Sequence, residues 1–583
     1  YDAQKNTFAT TFAEISVGCE ACHGKGSAHV AWARDRNAGL AANPDDPSKG
    51  LAVLFDERRQ AADWTPDPAT GSPVEGRPLP SLRKEVETCG LCHERRSTIA
   101  EDWTPGHWLS DTQIVSGLRE GLYFLDGQMR DEVYTYGTFK QSKMFAKGVT
   151  CSDCHDPHSG KLAAPADGLC LACHAGATYA TPAHSHHADV APAPGCPACH
   201  MPTRVYMVDD PRHDHGFRIP RPDLSVRFGT PNACNACHTD KSPQWAAEAI
   251  KAWGGSDRPG FQDYALAFHD AWEKAPHAEA LLAKIAADPQ VPAFARSSAL
   301  GALAPYLSPN LLGLVRSGLA DPDPMVRIGA LDMLEGAPTA AIWPLAAPLL
   351  VDPVRGVRLR AVDLLAAVAS ARQPAADRAA FERAAREFVE AQNLNADRPD
   401  ARVALGAFYA RRGNAAEAER EFRTALQLVP QFAPAAIHLA DLYRQMGRDA
   451  DGVAVLSATI AVEPAAANLR HALGLALIRV RQSPEALVQL GEAVALDRTN
   501  ETYVYAYAIA LNAAGQSGEA RAVLDGALAR WPGSRRILSA LVAISRDAND
   551  LPAALAYAER LAKLYPDDRE IARFIEGVRG TVH

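Results

Sequence analysis

The hydrophobic pattern changes character near Lys241. Residues 1–240 are rich in Pro and Gly and hold no sustained period. Within them "DPATGSPVEGRPLP" (Asp67–Pro80) predicts a loop, and "APAPGCPACHMP" (Ala191–Pro202) cannot be a regular helix. Beyond Lys241, Ala, Leu and Arg dominate, and apolar positions return at helical spacing. Arg296, Arg327 and Arg358 stand 31 residues apart. Each follows an Asp-Pro turn ("ADPQVPAFAR", "ADPDPMVR", "VDPVRGVR") and precedes an Ala/Leu helix. Further on the period becomes 34: Pro430, Pro464, Arg498, Pro532 and Pro566 share one register. Gly413, Gly447, Arg481, Gly515 and Asn549 mark the turn between paired helices. Leu405/Gly406/Tyr409, Leu439/Ala440/Tyr443 and Leu473/Gly474/Leu477 hold packing positions of the first helix, and Ala418, Ala486, Ala520 and Ala554 the tight crossing.

The 31-residue beat reads as short HEAT-type helical pairs over 265–372, after a helical transition at 241–264. The 34-residue beat reads as tetratricopeptide repeats over 373–583, about five of them between 398 and 570. A generic helical bundle does not explain so regular a register. Such solenoids present a concave face to a peptide or protein. The expected fold class is therefore mainly α: a loop-rich domain at 1–240, then an α-solenoid.

Composition adds exclusions. Hydrophobic residues make up 47% and charged residues 22% of the 583, as in a folded soluble protein. The net charge of −9 gives no argument for nucleic acid or an anionic membrane surface. No apolar run is long enough for a transmembrane helix. The chain opens on Tyr1, so removal of an export signal is the expectation.

All twelve cysteines lie between Cys19 and Cys237, and each belongs to a Cys-x-x-Cys-His unit. The six units are Cys19/Cys22/His23, Cys89/Cys92/His93, Cys151/Cys154/His155, Cys170/Cys173/His174, Cys196/Cys199/His200 and Cys234/Cys237/His238. The spacing suits covalent haem c: two thiols form thioethers with the vinyl groups, and the next histidine reaches the iron as proximal ligand. Disulfides need no histidine after the second cysteine. Zinc would need paired knuckles and leave histidines over. Six haems then act as the apolar plates of a domain poor in aliphatic core, with Trp103, Trp108, Tyr134 and Tyr136 packing at their edges.

Eight other histidines fall within 1–240, where six irons need second ligands, and only five lie in the rest of the chain. The distal candidates are His29, His107, His158, His184, His187 and His215; His186 and His213 compete with their neighbours. His158, three residues past His155 beyond a stiff Pro157, is expected to serve a different iron from its neighbour. His269, His277, His438 and His471 fall in helical patterns and read as structural; His583 is a tail residue. The default is six low-spin, mostly bis-histidine haems, which transfer electrons rather than bind substrates.

The stretches "EISVGCEACHGKGSAHVAWA", "GLYFLDGQMRDEVYTYGTFKQSKM", "GVTCSDCHDPHSG", "CPACHMPTRVYMV" and "FRIPRPDLSVRFGTPNACNACH" together resemble a bacterial family of multihaem c-type cytochromes with C-terminal tetratricopeptide repeats. The haem part is similar to the wider pentahaem and octahaem cytochrome group. The resemblance implies export to the periplasm or beyond, haem loading outside the cytoplasm, and electron transfer. It also implies further motifs ahead of the segment matching Tyr1, whose haems could claim His29.

Three functions compete. One is an electron carrier whose helical arm docks redox partners. The second is a reductase or oxidase of a small nitrogen or sulfur oxyanion at one open haem, with Tyr123, Lys140, Lys143, Arg204 and Tyr206 orienting the anion. The third is an assembly subunit, as a homo-oligomer or part of a larger complex. A high-spin signal separates the second from the first; a partner held by the repeats alone supports the third.

Overall fold

The computed structural model describes residues 5, 7–11, 16–41, 43–57, 64–75, 79–165, 167–187, 194–254, 261–275, 277–368, 372–566 and 568–581. The tail residue His583 lies outside them. The chain forms two compact units, one of Thr11–Leu394 and one of Tyr1–Thr10 with Asn395–His583.

In the first unit, short helices and, among the described residues, four two-stranded antiparallel sheets carry the cysteine-rich region. Within the segment expected to be a loop at 67–80, residues 67–75 are the turn and second strand of a hairpin, Trp64–Pro66 against Pro73–Glu75, and 76–78 lie outside the described residues. The Asp67 carboxylate closes that turn by accepting from the Ala69 amide at 2.8 Å and the Thr70 hydroxyl at 3.0 Å. Prolines fit there because a two-stranded ribbon has only edge positions.

Apolar packing within the cysteine-rich region is sparse. Val86, Leu109, Tyr136 and Phe139 form one small buried cluster. A larger one joins Leu118, Tyr123, Met129, Val133 and Tyr206 to Tyr264, Phe268, Phe294 and Leu300 of the helices that follow. Polar joints reinforce it. Arg355 pairs with Asp102 through two hydrogen bonds of 2.7 and 2.8 Å, and the Leu118 amide donates to Ser298 Oγ at 2.8 Å. Sequence boundaries drawn at 240, 264 and 372 therefore differ from the compact units, which divide after Leu394. Composition changes at Lys241, but the core continues across it.

The 31-residue beat has a mechanical basis. Arg296 bonds Asp321 at 2.6 Å, Arg327 bonds Asp352 at 2.8 and 2.9 Å, and Arg358 bonds Glu387 at 2.8 and 2.9 Å. Arg327 and Arg358 also donate to the carbonyls of their own Asp-Pro turns. Each arginine thus ties the turn before its helix to an acid in the next repeat.

The second unit stacks five antiparallel helix pairs, from Pro399–Arg411 with Ala415–Leu428 to Arg535–Asp547 with Leu551–Leu564, and ends on Arg569–Thr581. The repeated turn position is left-handed in all five: Gly413, Gly447 and Gly515 at φ 81, 71 and 82°, Arg481 and Asn549 at 64 and 57°. This residue ends the first helix of each pair, and glycine occupies it without steric cost. Gly406 and Gly474 allow close crossing, since a Cβ on either would lie 2.6 Å from Phe422 or Leu490. The helices contact their sequence neighbours, so residues 395–583 made alone are expected to give a strongly helical far-UV spectrum without cofactor. Residues 265–394 alone should fold poorly, because their core is shared with residues 118–206. A dominant strand signal from 395–583 would contradict the repeat register.

Candidate functional site

Every motif sits on a short helical turn or at a helix end: Cys19–His23, the end of Lys84–His93, Cys151–Asp153, Gly168–Leu171, Cys196–His200 and Cys234–Cys237. One turn places residues i and i+3 side by side, so both thiols of a motif can face one plate. The motifs meet in sequence order. Cys22 lies near Cys89 and Cys92; burial, then these thiols, pushes its pKa up. The Cys151 thiol hydrogen-bonds that of Cys89. Burial, Asp153, Cys170 and Cys173 push Cys154 up to about 12. Burial, Cys170 and Asp167 do the same for Cys196, also to about 12. Cys199 has Cys237 and Cys234 for neighbours. All twelve are free of disulfides. Among the described residues no group of three or more His, Cys, Asp or Glu side chains converges as a tetrahedral metal site requires.

Four motif histidines face a second imidazole. His23 faces His158 at 6.2 Å between centroids, with 12° between the ring planes. His155 faces His215 at 6.4 Å and 25°, His200 faces His184 at 6.1 Å and 16°, and His238 faces His187 at 6.1 Å and 30°. Two imidazoles bound to opposite faces of one iron, each at about 2 Å, hold their centroids roughly 6 Å apart. The pairs leave that gap, so the donor set fits a six-coordinate haem.

Backbone carbonyls fix several of these rings. Nδ1 of His23 lies 3.1 Å from Val53 O, that of His187 2.6 Å from Ser185 O, that of His200 2.8 Å from Arg218 O and that of His215 2.9 Å from His213 O. A carbonyl at Nδ1 keeps the proton there and leaves Nε2 as the donor to a metal. Burial holds the pKa of His215 below its ordinary value, and likewise that of His155, which favours the neutral, ligating form.

Residues 143–178 match the doubled CXXCH motif family. That motif is one of covalent haem c attachment, and the matched stretch holds the motifs ending in His155 and His174. Residues 357–532 match a tetratricopeptide repeat family. No curated protein matches the chain. Similar solved structures include MamA (17% identity over 28% of this chain and 97% of that one, TM-score 0.26) and the type IV pilus biogenesis factor PilW (18%, 33% and 90%, 0.29). Pseudomonas aeruginosa PilF is a third (20%, 38% and 97%, 0.27).

Within and beyond the doubled motif, the sequence-picked histidines divide. His158, His184, His187 and His215 stand opposite motif histidines. His29 and His107 do not: His29 Nδ1 lies 2.7 Å from Lys49 O, and the exposed His107 faces no motif ring. His213 holds Nδ1 on Met201 O at 2.8 Å and likewise faces none. His93 and His174 have no histidine opposite among the described residues; the nearest ring described for His174 is Tyr179, edge-on at 5.4 Å. Sequence reading missed the carbonyls of Val53 and Arg218, which carry no side-chain signature. It also missed Trp245, packed on His238 at 4.9 Å, although Trp245 stands only seven residues past that motif.

The five residues expected to orient an anion differ in burial. Lys140 is buried, bonded to Glu87 and to the Tyr136 hydroxyl at 3.2 Å each. Tyr123 and Tyr206 lie in the apolar core, and Lys143 and Arg204 are exposed. Glu94, just after His93, is the more unusual group. Its Oε2 accepts from the Gly137 amide at 2.7 Å, Oε1 is buried without a partner, and burial pushes its pKa up to about 8. The folded state therefore holds this proton where the unfolded chain, near 4.5, releases it. Its contribution to stability is fully present below that lower value and is lost as pH rises through about 8. Glu94→Gln should flatten the denaturation midpoint across that window; an unchanged slope would place the titration elsewhere.

Proposed function

We propose that this chain is an exported multihaem c-type cytochrome, periplasmic or extracellular, that moves electrons along six covalent haems strung in sequence order. Its tetratricopeptide arm docks a redox partner or a larger complex. The observation that carries the reading is the set of four imidazole pairs at 6.1–6.4 Å, each joining a motif histidine to a distant one. Haem c, once attached, supplies one-electron chemistry. The protein's own residues do the rest. The four imidazole pairs would hold a haem iron between them and would keep small ligands off it. The carbonyls of Val53, Arg218, His213 and Ser185 orient them. The sequence-order contacts between motif thiols keep each unit beside the next. Intact mass should show six haem additions, and the reduced protein a spectrum that is mostly low-spin. Four or fewer additions would sink the proposal.

A second reading has one observation in its favour. Among the described residues His93 and His174 face no histidine, so one of their haems is a candidate for an open position, as in the pentahaem and octahaem enzymes that reduce small nitrogen or sulfur oxyanions. Carbon monoxide binding by the unmodified reduced protein would favour this reading over a pure carrier.

A further inference from the structure

His186 is the histidine of "HSHH" that faces no motif ring. Its imidazole lies flat on the indole of Trp253, 4.0 Å between centroids and 9° between planes. The flanking ligand pairs stand near 6 Å and leave room for a metal; this one is closed by direct contact. His186 also has a left-handed backbone, φ 56°, with its amide donating to Pro182 O at 2.8 Å. That conformation costs a residue with a Cβ and persists where its surroundings hold it. On either side of the bend, His184 faces His200 and His187 faces His238.

Trp253 belongs to the helix Pro243–Gly254, and the same helix presents Trp245 to His238. The two tryptophans are eight residues apart, about 12 Å along a helix axis. One helix therefore touches the motif imidazole of the last haem and, through His186, the segment bearing the imidazole opposite.

We propose that the His186–Trp253 stack is a pin that positions His184 and His187 together, so that one contact sets the sixth ligands of the haems on His200 and His238. The inference rests on the bis-histidine reading above. His186 and Trp253 are positioning residues: neither ring reaches a metal.

The test uses the full, haem-loaded chain. Trp253→Ala should retain six haems by mass, yet gain carbon monoxide binding at up to two haems in six, with loss of two low-spin signals in electron paramagnetic resonance. Trp253→Phe, which keeps a stacking face, should behave as the unmodified protein. His186→Gly, which suits the left-handed backbone but removes the ring, should reproduce Trp253→Ala even if the latter folds poorly. Low-spin signals unchanged in both Trp253→Ala and His186→Gly would overturn the pin while leaving the ligand assignment standing. High-spin haems on His200 and His238 in the unmodified protein would overturn both.

Discussion

Replacing His158 by alanine is expected to leave six haems attached and to open one iron. The reduced variant should bind carbon monoxide at about one haem in six more than the unmodified protein. The effect should be confined to the haem on His23, whose ring His158 faces at 6.2 Å. The cost in lost protein packing should be small, because the His158 side chain is 83% exposed and its described polar neighbour is Asp156 at 3.9 Å. His158→Met would keep the iron six-coordinate with a weaker donor, and should raise that one potential in a redox titration. If neither variant changes any haem's spectrum or potential, His158 is a solvated turn residue.

Lys140→Ala should be the most destabilising single change in the cysteine-rich region. Lys140 and Glu87 side chains are each 2% exposed, and they are joined by a 3.2 Å bond. Glu87 also accepts from the Tyr136 hydroxyl and from the Leu109 amide. Asp323 stands 3.6 Å from the ammonium on its other side. Removing the ammonium leaves a buried carboxylate without its counter-charge, at about 3–5 kcal/mol in denaturant unfolding. Glu87 lies on the helix that ends in Cys89, Cys92 and His93, so the haem attached there should be the first to lose its native spectrum. Lys143→Ala, on an exposed side chain three residues away, should stay within about 0.5 kcal/mol. Equal effects of the two would contradict the burial argument, and a loss of turnover without a loss of stability in Lys140→Ala would revive the anion-site reading.

These two lysines also show where sequence reasoning stops. Both are cations near haem motifs, and nothing in "YGTFKQSKM" separates the buried one from the exposed one. Their difference comes from Glu87 and Asp323, distant in the chain. The tetratricopeptide turns were legible because the same local demand, a left-handed cap, recurs every 34 residues. The motif cysteines were legible because one Cys-x-x-Cys-His spacing recurs six times. The joint from Arg355 to Asp102 and the Trp253 stack are single long-range contacts, written nowhere as a pattern. The hairpin at 64–75 was hidden by its prolines, which mark loops in most contexts and edge strands in few.

His155 and His158 lie on one short turn, yet their rings face partners in opposite directions along the chain, His215 and His23. Held to one metal each, the two pairs would close a loop from 23 to 158 and a loop from 155 to 215 that meet only at the shared turn 155–158. Two loops hinged on one turn depend on it together, and loosening it would release both. Under mechanical load or heat, the turn at 155–158 should be where both loops give way, as two links do when their common pin is drawn.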